Sequence, residues 1–171
     1  MSNLQPSMRH SRTQRRIAGR AQRDDVIDPY QARQKPKEPS VCRGCGAVYH
    51  RGRWQWGRPP AAAPEELCPA CRRIRDRLPA GILVIDGGLA RDHADEIEAL
   101  ARNQEAAENG EHPLNRIVDI AKTESGLTIT TTDVHLPRRI GTALKRAYRG
   151  TLAMHFDATG YFLRAEWRSP S

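Results

Sequence analysis

Two Cys-x-x-Cys pairs constrain what this chain can fold into more than any other feature. Cys42-Arg43-Gly44-Cys45-Gly46 is answered by Cys68-Pro69-Ala70-Cys71, with 22 residues between Cys45 and Cys68, and these four are the chain's only cysteines. Two tight Gly- or Pro-bearing loops that each offer two thiolates can surround one ion tetrahedrally. We therefore expect a structural Zn2+ on Cys42, Cys45, Cys68 and Cys71, within a zinc ribbon. A redox dithiol needs only one pair in a strand-to-helix setting, and disulfides belong with a secreted chain and a signal peptide. Neither pattern is present. The separation is slightly longer than usual for a ribbon. His50 could replace a thiolate, but with four cysteines at hand it is expected to be a strand residue.

Charge divides the chain more sharply than hydrophobicity does. The net charge is +8 over 171 residues. Residues 1–40 carry nine basic and four acidic side chains, residues 41–79 carry eight and three, and residues 80–171 carry eleven and thirteen. The excess is thus confined to the first half, where nearly all of it is arginine. Arginine's planar fork binds phosphate bidentately and stacks on bases, which points to a nucleic-acid partner. No run approaches the ~18 apolar residues of a membrane span, so a soluble, cytoplasmic chain is expected, a monomer when free. The first 23 residues are Arg-rich and acid-free like a mitochondrial presequence, but Leu4, Met8 and Ile17 are too sparse to form its apolar face.

Three segments follow. Residues 1–40 lack a pattern able to build a core and are expected to be a disordered basic tail and linker. Their arginines are nevertheless spaced: Arg9, Arg12, Arg16, Arg20 and Arg23 recur every three or four positions, so a helix would gather them on one face. Residues 41–79 form the ribbon. Its arm, residues 47–56, places Trp54 and Trp56 two apart and therefore on one face of a strand. With Arg51, Arg53 and Arg58 they offer a platform for unpaired bases, unless the tryptophans cover the ribbon's small core. A short helix after Cys71 is expected to bury Ile74 and Leu78 and to leave Arg72, Arg73, Arg75 and Arg77 outward.

Residues 80–168 alternate strands and helices. The pattern predicts strands over 82–85, 115–122, 126–132, 151–157 and 160–167, and helices over 91–109 and from Asp133 to Gly150. This α+β order, β-α-β-β-α-β-β, is that of a ferredoxin-like split β-α-β unit with an extra edge strand. Its open face carries threonines and lacks the paired aromatics with which a sheet stacks RNA bases. Its basic element is the second helix, with Arg138, Arg139, Lys145, Arg146 and Arg149. The last hairpin is expected to add Leu152, Met154, Phe156, Leu163 and Trp167 to the core.

Two tracts carry a resemblance. Cys68-Pro69-Ala70-Cys71-Arg72-Arg73-Ile74, followed by Pro79-Ala80-Gly81 and a hydrophobic strand, resembles the start of the nonsense-mediated-decay-three family, zinc-ribbon adaptors of the large ribosomal subunit. Thr132-Asp133-Val134-His135-Leu136-Pro137-Arg138-Arg139-Ile140-Gly141, continuing to Ala147-Tyr148-Arg149-Gly150, is similar to a tract of small bacterial proteins related to that family. The likeness covers roughly residues 40–168. The family has more than one cysteine cluster and further domains, whereas this chain has a single set. The resemblance implies association with rRNA or the ribosome, or with a ribosomal protein, and it carries over a zinc role for Cys42, Cys45, Cys68 and Cys71.

Catalysis finds little support. Residues 81–88 hold no Gly-x-x-x-x-Gly-Lys-Ser/Thr phosphate loop. Asp92, Asp95, Glu96 and Glu98 read as a solvated helix start. His93, His112, His135 and His155 have neither metal nor triad spacing, and four thiolates leave a zinc ion no open position. The expectation is a non-enzymatic zinc-ribbon RNA-binding protein on the ribosome, an assembly, stress or hibernation factor. Its contacts would be Arg9, Arg12, Arg16, Arg20, Arg23, Arg51, Arg53, Trp54, Arg72, Arg73, Arg138 and Arg139. The alternative is an interaction module docking on RNA polymerase or another transcription component.

Overall fold

The computed structural model describes residues 28, 30 and 35–170. Among these residues it is a mixed α+β structure with two sheets and four helices. The smaller sheet is built from β1 (Ser40–Cys42), β2 (Val48–His50), β3 (Arg53–Gln55) and β4 (Glu65–Glu66), in the order β3-β2-β1-β4, and is followed by α1 (Pro69–Asp76). Arg51 and Gly52 join β2 to β3 with φ of 51° and 76°. Two central turn residues at positive φ give the tight hairpin whose twist matches its strands. The Glu38 carboxylate accepts from both of their backbone N–H groups, at 2.8 and 2.9 Å, and so fixes the hairpin tip.

α1 starts earlier than expected and is turned differently. Cys68 caps it, its Sγ accepting from Cys71 N at 3.4 Å, so the need to aim both thiols inward sets the helix rotation. The buried positions are then Ala70 and Arg73, while Leu78, expected inside, lies beyond the helix and is 54% exposed.

The larger sheet contains β5 (Gly81–Asp86), β6 (Ile117–Thr123), β7 (Gly126–Thr131), β8 (Thr151–Phe156) and β9 (Leu163–Arg168), in the order β6-β7-β5-β9-β8. β5 pairs antiparallel with β7 and parallel with β9. This corrects the expected extra edge strand: the added strand, β9, lies inside the sheet beside β5, and β8 is displaced to the edge. The reason is apolar content. Leu163, Ala165 and Trp167 of β9 alternate inward and are fully buried, which only a covered central strand can satisfy.

α2 (Gly88–Asp92), α3 (Ala94–Asn109) and α4 (His135–Ala147) cover one face. The single helix expected over 91–109 is therefore two, broken at His93, whose φ of −114° leaves the helical region. Leu83, Ile85, Leu127 and Ile129 of the sheet meet Ile97, Ile140 and Leu144 of the helices in one core. Each such side chain contributes roughly 1.5–3 kcal/mol by leaving water. Asp133, where the second helix is expected to begin, caps α4: one carboxylate oxygen accepts from His135 N at 2.6 Å and Leu136 N at 3.0 Å.

β8 departs from its sequence pattern. Leu152 is half-buried, but Met154 and Phe156 are 40% and 57% exposed because the helices do not extend over the outer end of this edge strand. Ala147, the last residue of α4, is exposed too.

Candidate metal centre and basic surface

The two knuckles bring Cys42, Cys45, Cys68 and Cys71 together, each able to direct one sulfur at a common point with all four within 4.8 Å of one another. Tetrahedral coordination at the usual Zn–S length of about 2.3 Å requires sulfurs about 3.8 Å apart. Cys45 Sγ and Cys68 Sγ are 3.8 Å apart. The donor set thus fits a tetrahedral metal ion.

The backbone is shaped to the same end. Gly46, at φ +80°, turns the first knuckle and donates to Cys42 O at 2.8 Å. A Cβ on Gly44 would stand 2.9 Å from Cys71 Sγ, so the chain approaches the opposite thiol where only glycine fits. Gly44 N and Cys68 N both reach Cys42 Sγ, at 3.4 and 3.3 Å. Such donors orient sulfur and stabilise its anionic form.

Metal-free thiols in this arrangement cannot all ionise. Burial pushes the Cys45 thiol up to about 11 and Cys68 further up, with the charge of neighbouring sulfurs adding to both. At Cys42 burial acts in the same direction, but the backbone N–H groups of Cys68, Cys45 and Gly44 outweigh it and bring this thiol down to about 7. A cation at the centre would offset the mutual repulsion and release the remaining protons.

One donor comes from the larger sheet's side of the molecule. Arg116, just before β6, directs Nη1 to Cys71 Sγ at 3.2 Å. Its backbone is pinned to Thr132, with Arg116 N donating to Thr132 Oγ1 and Thr132 N to Arg116 O, both at 2.9 Å. Leu114 packs on the same cluster of buried cysteines. Nothing in the local sequence announces Arg116, because its partner lies 45 residues away.

The proposed nucleic-acid contacts separate into four groups. Arg9, Arg12, Arg16, Arg20 and Arg23 lie outside the described residues. Arg51, Arg53 and Arg138 are exposed, with no ion-pair partner among the described residues. Arg72 and Arg139 are engaged: Arg72 faces Glu66 at 3.9 Å, and Arg139 bonds Glu108 at 2.8 Å and Gln104 at 3.3 Å, tying α4 to α3. Arg138, Arg146 and His135 nevertheless line a broad groove of about 920 Å3 beside α3.

Arg73 and Trp54 form the fourth group and require correction. Arg73 is buried, at 6% exposure, where it pairs with Asp28 Oδ1 at 2.5 Å, donates to Leu78 O at 3.1 Å and lies 4.5 Å from the Tyr30 ring centroid. Its guanidinium is taken up by Asp28, Tyr30 and Leu78 O and is largely withheld from solvent. Trp54 is half-buried against the cysteine cluster and packs on Tyr49 with ring centroids 5.4 Å apart. The exposed indole is that of Trp56, 41% accessible, because β3 ends at Gln55 and strand alternation ends with it. Its Nε1–H donates to Asn109 O at 2.5 Å, satisfying a carbonyl at the end of α3.

No helix among the described residues is long and apolar enough to cross a membrane. No protein-family model matches the chain, and no curated protein matches it.

Proposed function

We propose that the chain is a non-enzymatic zinc-ribbon protein that binds RNA on the ribosome, in the cytoplasm, as an assembly, stress or hibernation factor. Residues 41–79 act as the ribbon, the four cysteines bind Zn2+, residues 80–168 form a variant of the ferredoxin-like unit, and residues 1–40 serve as a basic arm. The observation that carries this reading is the hairpin tip. The Arg51 and Arg53 side chains stand exposed and in no ion pair among the described residues, the tip's Glu38 carboxylate being taken up by backbone N–H groups, on a sheet fastened through the cysteine cluster. Unpaired guanidinium groups on a rigid support retain their full capacity for phosphate. The resemblance to large-subunit adaptors agrees with it, and four thiolates around zinc leave no coordination position for substrate.

Sedimentation tests the proposal. Tagged protein is expected to co-migrate with ribosomal particles at low salt and to be released as salt rises, since phosphate contacts exchange with counterions. Absence from every ribosomal fraction at low salt would overturn it. Association that survives nuclease treatment would instead favour docking on a protein.

A further inference from the structure

The geometry points to a slot beside Trp56 that takes one unpaired RNA base, stacked on the indole, with the adjoining phosphate held by Arg58. This rests on the RNA-binding reading above and names the contact by which bases, as distinct from phosphates, are felt.

Trp56 is one of the few large apolar side chains left in water, and its orientation is constrained. The bond from Nε1 to Asn109 O holds the ring by its polar edge. A ring fixed in this way keeps a π-face available and loses little rotamer freedom when a ligand arrives. Beside it lies a pocket of about 340 Å3, bordered by Pro39, His50, Gln55, Trp56, Arg58 and Pro60. That volume is at the small end of ligand pockets, which run from about 300 to 1,000 Å3, and suits one flat ring system.

The lining chemistry favours a nucleobase. Gln55 donates through Nε2 to His50 O at 3.3 Å, so its amide oxygen remains an acceptor in the slot, and the His50 ring can donate or accept. Arg58 supplies the cation at the rim, and Arg51 and Arg53 continue the positive surface along the same hairpin. A Pro-rich peptide would gain nothing from three arginines, whereas a polyanion gains at each. Within a duplex both faces of a base are already stacked, so the occupant is single-stranded.

The test uses the full, zinc-loaded chain and two labelled 12-nucleotide strands, one of mixed sequence and one with abasic riboses throughout, which keeps the phosphates but removes the bases. Wild type is expected to prefer the base-bearing strand. Trp56→Ala should weaken that strand on the order of tenfold while changing abasic binding less than twofold, and Trp56→Phe, which keeps a π-face but loses the Nε1–H anchor, should recover only part of the loss. Arg58→Ala should weaken both strands alike and reduce the slope of log affinity against log salt by about one. Zinc content and melting temperature are measured for each variant, so that a loss from misfolding is recognised as one affecting both strands. If Trp56→Ala, folded and zinc-loaded, lowers affinity for both strands equally or for neither, the slot is wrong and RNA binding by phosphate contacts stands. If wild type binds neither strand, the RNA-binding reading fails with it.

Discussion

Replacing Arg116 by methionine should loosen the metal without disturbing the loop that carries the residue. Methionine keeps the stem's apolar contacts and removes the guanidinium, and the Arg116 backbone stays anchored through its bonds with Thr132. What is lost is a donor 3.2 Å from Cys71 Sγ, facing a cluster that carries two net negative charges when four thiolates hold a divalent ion. A hydrogen bond to a charged group contributes about 1.5–3 kcal/mol, and each decade of affinity corresponds to about 1.4 kcal/mol. The expected loss is therefore roughly 10- to 100-fold in zinc affinity, the range typical when a group supporting a metal ligand is removed. Competition against a chelator of known affinity at neutral pH measures it. Arg164→Met makes the same change in net charge at a surface pair with Glu166 and should leave zinc affinity unchanged. Arg116→Lys should lie between, since it retains the charge but not the fork. An Arg116→Met affinity within twofold of wild type, or an equal loss in Arg164→Met, would refute the coupling.

The remaining expectations concern stability. Cys42→Ser should abolish metal binding and unfold the small sheet, since a structural zinc site supplies on the order of 10 kcal/mol of apparent folding free energy; retained zinc on metal analysis would contradict the assignment. Asp28→Asn strips a buried guanidinium of its counter-charge and should cost about 1–3 kcal/mol in chemical denaturation, with little dependence on salt. Asp133 is held above the usual carboxylate range, first by burial and then by the charge of Glu108, against the N–H groups of Leu136 and His135. A carboxyl whose folded value lies above its unfolded one favours folding most while protonated, and that contribution is lost as pH rises through the folded value. Asp133→Asn should therefore gain on wild type as pH is raised from acid to neutral; a stability difference independent of pH would show that Asp133 titrates alike in both states.

How legible each part was depends on the range of the interaction that fixes it. The cysteine cluster was readable because the spacing that a tetrahedral ion would require is expressed within each knuckle. The strands and α4 were readable for the same local reason: alternation and helical period, with Asp133 in capping position. The failures are long-range. Arg73 looked like an outward arginine, because its counter-charge, Asp28, is 45 residues distant and the helix rotation is set by Cys68 and Cys71. Trp54 and Trp56 looked equivalent until the end of β3 separated them. Met154 and Phe156 alternate as core residues should, but whether a strand lies inside a sheet or at its edge depends on where the following strand pairs. Arg116 had no local signature at all.

The placement of β9 has a consequence for synthesis. β5 and β9 are adjacent at the centre of the larger sheet, yet β5 begins at residue 81 and β9 ends at residue 168. The central pairing must wait until nearly the whole unit has emerged from the ribosome, which makes it a late, high-contact-order step. The small sheet and its cysteines close within residues 40–76 and can capture metal while that step is pending. A nascent chain would thus carry a closed cysteine cluster, still without its Arg116 donor, on an unfinished body. A stop codon before residue 163 would remove the strand on which the rest of that sheet closes.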